Sequence, residues 1–126
     1  MDNIVHLRLE EHVRLDRDQI EVLIIQLGPA GADQLVSHAM EELAVLLARI
    51  EKRHRQGEVD EVQEGVKSLV AISQQVGMTT LARVGRDVLS IIPGHDSNAY
   101  CAAVARMVRI GEKSLVAVWD LQDMSV

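Results

Sequence analysis

The chain has 126 residues, 48% of them hydrophobic, which is enough for one core and too few for two ordinary domains. A net charge of -6 and a pI near 5.3 exclude a surface built for nucleic acid or an anionic membrane, since either needs a Lys/Arg-rich face. A single cysteine, Cys101, rules out an internal disulfide and fits a reducing, cytoplasmic setting, and no Cys/His cluster suggests a metal site.

Phe is absent, with one Trp and one Tyr, so the core must be aliphatic, which suits helix on helix better than sheet on sheet. In residues 1–14, Val5, Leu7 and Leu9 alternate like a strand, whereas Leu7, Glu10 and Glu11 suit a helix equally well. A short helix or arm across one end of the fold is expected there. It has no basic region followed by an apolar run, so it does not read as a signal peptide.

A first helix is expected over residues 16–27, with Asp16 as N-cap, the stripe Ile20, Leu23, Ile24 and Leu27, and Gly28-Pro29 as a stop. A long second helix starts at Asp33, buries Leu35, Ala39, Leu43, Leu46, Leu47 and Ile50, and ends at Gly57. In the third, Val59, Val62, Val66, Leu69, Ser73 and Val76 step by three and four until Gly77. The fourth carries Leu81, Val84, Val88 and Leu89 and ends before Pro93. The fifth begins at Asp96 or Ser97 and runs through Tyr100, Val104, Met107, Gly111, Leu115 and Val118 to about residue 121. Gly65, Gly85 and Gly111 lie inside helices, where they permit close helix approach. Charges interrupt every apolar stretch, so no membrane span is expected. Short connections imply antiparallel neighbours, hence an all-α, antiparallel up-and-down four-helix bundle over 15–121, preceded by the arm at 1–14 and followed by a tail at 122–126.

The run from Gly57 to Ala82 resembles the helical hairpin of histidine-containing phosphotransfer (HPt) domains without a gap. That family has a turn glycine, a helix with Ala-His-x-Leu-Lys-Gly near its middle, a Leu-Gly turn and a Leu-Ala pair. Leu69 falls on the motif leucine, Gly77 on the turn glycine and Leu81-Ala82 on the pair, and the segment from Leu15 to Gly28, followed by the long second helix, matches the family's usual entry, so the resemblance covers roughly residues 15–121. The departures fall on the chemistry. Lys67 stands at the phosphoacceptor histidine, Val70 at the neighbouring lysine and Ala71 at the glycine. Phosphoryl relay needs an imidazole that offers a lone pair, and histidine with a pKa of about 6.5 supplies one near neutrality. A solvated lysine, with a reference value of about 10.4, is protonated there and is a poor nucleophile.

The resemblance therefore implies a non-phosphorylatable binding module in two-component signalling, without catalytic residue, metal or cofactor. It would dock on a response-regulator receiver domain or a histidine kinase through Lys67, Val70, Ala71 and Gln74. The plain reading of Lys67 is a solvated side chain, and of Val70 a core-edge contact. Two rival readings stay open: a true phosphotransfer protein using a displaced histidine such as His38, and a structural helical protein that forms a homodimer. The plain reading of all five histidines, His6, His12, His38, His54 and His95, is a solvated or capping residue, with His54 in a basic run at a helix C-terminus. No phosphate-cradling glycine loop or nucleophile elbow is present.

Overall fold

The computed structural model describes residues 15–91 and 94–124, with side chains as far as residue 120. The expected arm at 1–14, with His6 and His12, lies outside the described residues. Within them are four helices and no strand: α1 (Arg17–Arg55), α2 (Val59–Gln75), α3 (Thr79–Ser90) and α4 (Ser97–Met124). Each packs on the next in the chain, and α4 packs back on α1. No helix among the described residues is long and apolar enough to cross a membrane.

The polar caps expected at helix starts are in place. Asp16 Oδ1 accepts from the Gln19 N–H at 3.2 Å, and Asp96 Oδ1 from the Ala99 N–H at 3.0 Å. Each uses a carboxylate to satisfy one of the orphan donors of a first turn.

α1 joins two helices expected to be separate. The backbone breaks at Gly28 alone (φ 76°, ψ 165°), and the helix resumes at once rather than at Asp33. The Gly-Pro pair does stop the first helix, but Pro29 is also a good first residue for the next one, because its missing N–H is an orphan there anyway. At the other end, α4 reaches Met124, three residues past the expected limit at 121.

The turns on either side of α2 share one geometry. After α1, the Glu58 N–H donates to Arg53 O (3.0 Å) and the Gly57 N–H to His54 O (3.1 Å). After α2, the Met78 N–H donates to Ser73 O (2.8 Å) and the Gly77 N–H to Gln74 O (3.3 Å). Both are Schellman motifs, with the glycine in the left-handed conformation. Gly77 has a second reason to be glycine: a Cβ there would lie 2.9 Å from Asp16 O. The Asp16 N–H donates to Gly77 O at 2.7 Å, and Leu15 forms an isolated bridge with Met78, so the start of α1 is tied to the α2–α3 turn.

One aliphatic cluster holds the four helices, with Leu43, Leu69, Val88 and Val104 all buried in it. Leu23 is buried too but stands outside that cluster. The interior glycines mark the tightest approaches. A Cβ at Gly65 would meet Ile50 Cγ1 at 2.8 Å, at Gly85 Val70 Cγ2 at 2.7 Å, and at Gly111 Leu47 Cδ1 at 2.6 Å. The stripe expected in the first helix needs correction. Leu23 is buried and Ile20 half-buried, but Ile24 and Leu27 are exposed.

Candidate functional site on the outer face of α2

α2 turns Val62, Val66, Leu69 and Ser73 inward, so geometry at about 100° per residue sends Lys67, Ala71 and Gln74 outward along one stripe. All three are exposed. The Lys67 side chain is 62% exposed, and its Nζ lies 3.3 Å from Glu64 Oε1 one turn earlier. An ion pair so open to water holds the ammonium weakly and leaves it available to another carboxylate. Ser68 beside it donates back to Glu64 O at 3.3 Å.

Val70 does not join that stripe. It is half-buried and packs at the edge of the core, where its methyl group occupies the space left by Gly85 of α3. The core-edge reading of Val70 therefore holds, and the outward set is Lys67, Ala71 and Gln74.

Flanking the stripe, an open groove runs between α1 and α2. It consists of two adjoining hollows that meet at Leu46, Arg49 and Ser68, one lined further by Glu61 and Glu64 and the other by His38, Val45 and Ile72. His38 is exposed, and its Nε2 sits 2.9 Å from Glu42 Oε1 on the same helix. Arg53 closes the Glu61 end. Its guanidinium reaches Glu58 Oε2 at 2.9 Å through Nη1, while Nε stands 2.9 Å from Glu61 Oε2 as an ion pair without hydrogen-bond alignment. The sequence reading missed Arg49 and Arg53, since a helical arginine gives no sign of which neighbouring helix it will face.

The other described histidines, His54 and His95, take no part in this face. His54 meets Tyr100 edge-on at the far end of α1, with ring centroids 5.8 Å apart, and His95 is exposed before α4. Burial raises the Tyr100 phenol above its ordinary pKa of 10.0, with a smaller contribution from Cys101 beside it. Among the described residues, no group of His, Cys, Asp and Glu is placed to hold a metal ion. Chemically, the face offers a cation and small or amide side chains to a partner, and among the described residues no imidazole lies on it.

Comparison with protein-family models, with curated proteins and with solved structures finds no match for this chain.

Proposed function

We propose that the chain is an HPt-like antiparallel up-and-down four-helix bundle that acts as a non-phosphorylatable binding module in cytoplasmic two-component or phosphorelay signalling. It docks on a receiver domain or a histidine kinase through the outer face of α2. One observation carries the reading: the position that resembles the phosphoacceptor histidine is an exposed lysine, on a helix whose flanking turn glycines and leucine register also match that family. In a relay the histidine enters an acidic receiver pocket that binds Mg²⁺. A lysine ammonium in its place meets the same carboxylates as a counter-ion. Glu58 just before α2 and Asp60, Glu61 and Glu64 in its first half do not help this contact, so the attraction is local and salt-sensitive. Binding then favours the unphosphorylated receiver and weakens as Mg²⁺ rises.

His38 supports a second reading, active phosphotransfer. It is exposed beside the groove, and the Glu42 contact at 2.9 Å orients its ring, as a nucleophilic imidazole needs. Incubation with a phosphorylated receiver, followed by mass spectrometry under alkaline conditions, separates the two. The docking module gives a complex and no phosphohistidine. Phosphohistidine that disappears in His38→Gln means that the chain is a true phosphotransfer protein.

A further inference from the structure

Charge divides the chain unevenly. Residues 15–78 carry eleven carboxylates and six Lys/Arg, whereas α3 and α4 carry five cations, Arg83, Arg86, Arg106, Arg109 and Lys113, against Asp87, Glu112 and Asp120 as far as residue 120. All five cations are exposed. α4 turns Val104, Met107, Ile110 and Ser114 inward, so at about 100° per residue Arg106, Arg109 and Lys113 share its outer face. Arg83 and Arg86 stand one turn apart on α3, beside Asp87. α3 packs on α4, and Asp87 Oδ2 lies 4.0 Å from Arg106 Nη1, so the two rows of cations adjoin. The acids do little to cancel them. Asp87 is already shared with Arg106. Glu112 lies about 120° from Arg106 and about 100° from Lys113 around α4, and borders the face only beside Arg109, while Asp120 lies two turns, about 10 Å, past Lys113. Arg83, Arg86, Arg109 and Lys113 have no carboxylate within ion-pair distance among the described residues.

We infer that the α3–α4 face is a docking surface for a short acidic segment of a partner protein. Charge complementarity selects that occupant, because five cations gather on two adjoining helices of a chain whose net charge is -6. From Arg106 to Lys113 the row is about 10 Å long, close to the screening length of about 8 Å at physiological salt. The cations therefore act on a ligand together, while carboxylates farther off are screened. Four of the five are arginines, whose planar forks take a carboxylate through two hydrogen bonds. A nucleic-acid duplex also offers anions, but it runs on past a patch this short, onto a molecule that is otherwise acidic. A short acidic segment ends where the patch ends. The five cations belong to other helices than Lys67, so this ligand binds whether or not the outer face of α2 docks a receiver.

Fluorescence anisotropy of a labelled oligoglutamate peptide titrated with the full chain tests this, with amide chemical shifts locating the contact. The expected result is binding that weakens as ionic strength rises from about 0.01 to 0.15 M, with shifts confined to α3 and the 105–113 stretch of α4. Arg83→Glu combined with Arg109→Glu should weaken it about tenfold or more by setting like charges together. Arg49→Glu combined with Lys52→Glu makes the same change in net charge at exposed positions on α1 and should leave it unchanged. Circular dichroism that matches the wild type shows that each variant is folded. Equal loss in both double variants would mean that net charge alone governs binding and overturn the inference, as would no binding at the lowest ionic strength. A short DNA duplex that binds the same residues more tightly than the peptide would assign the face to nucleic acid and overturn it too.

Discussion

The α2–α3 hairpin and the 17–27 segment of α1 are both rich in aliphatic residues and differ in what becomes of them. In the hairpin, Val62, Val66, Leu69, Leu81, Val84 and Val88 are almost wholly buried, because apolar positions recur on one face only. In the 17–27 segment they crowd around the helix, so burying Leu23 leaves Ile25 pointing to solvent. Periodicity separates the two: a one-sided stripe is satisfied within the core, and an all-round one leaves part of its apolar surface exposed. Only the hairpin contributes to the stability of the isolated molecule in proportion to its apolar content.

The largest effect that would break this contrast is Leu69→Ala. With Leu69 fully buried in the four-helix cluster, truncation should cost ~2 to 5 kcal/mol in urea titration. A cost near zero would show that the helix register, and the family resemblance with it, is wrong. Next comes Gly77→Ala, which forces a Cβ into the left-handed conformation and to within 2.9 Å of Asp16 O. A loss of about 1 to 2 kcal/mol is expected from the backbone alone, together with a shift in the amide resonances of residues 15–17. Retention of wild-type stability would mean that α1 is not tied to the α2–α3 turn.

A smaller effect, in the opposite direction, is expected at Ser73. Its hydroxyl is buried in the core without a hydrogen-bond partner, and burial of that kind carries a penalty of about 1 to 3 kcal/mol. Ser73→Ala removes the penalty, so the thermal midpoint should hold or rise. A fall would mean that the hydroxyl is bonded after all. Smallest of all is Ile25→Ala, which should change stability by no more than about 0.5 kcal/mol. A cost close to that of Leu69→Ala would show Ile25 buried within the chain and erase the difference between the regions.

Much of the fold was legible because its punctuation is chemical. Gly57 and Gly77 stop helices by adopting positive φ, and Asp16 and Asp96 start them by accepting from a first-turn N–H. Pro29 was the ambiguous mark, since the ring that ends one helix also opens the next. The stripe in the first helix was over-read: four positions at helical spacing do not specify a buried face when Val22 and Ile25 fill the gaps between them. For the candidate site, the spacing of Lys67, Ala71 and Gln74 settled which side they share, because α2 has one apolar face and they lie off it. Val70 lies at the border of that face. Its inward turn depends on the cleft opposite Gly85, a residue fifteen positions away whose missing side chain makes the room.

Calorimetric titration of a cognate receiver domain tests the central claim most directly, with the wild-type chain and Lys67→Glu compared with and without Mg²⁺. If the exposed ammonium of Lys67 is the contact, the wild type binds the unphosphorylated receiver, binding weakens as Mg²⁺ rises, and Lys67→Glu abolishes it by setting like charges together. The same affinity in both proteins, indifferent to Mg²⁺, would contradict the account and remove the outer face of α2 as the binding site.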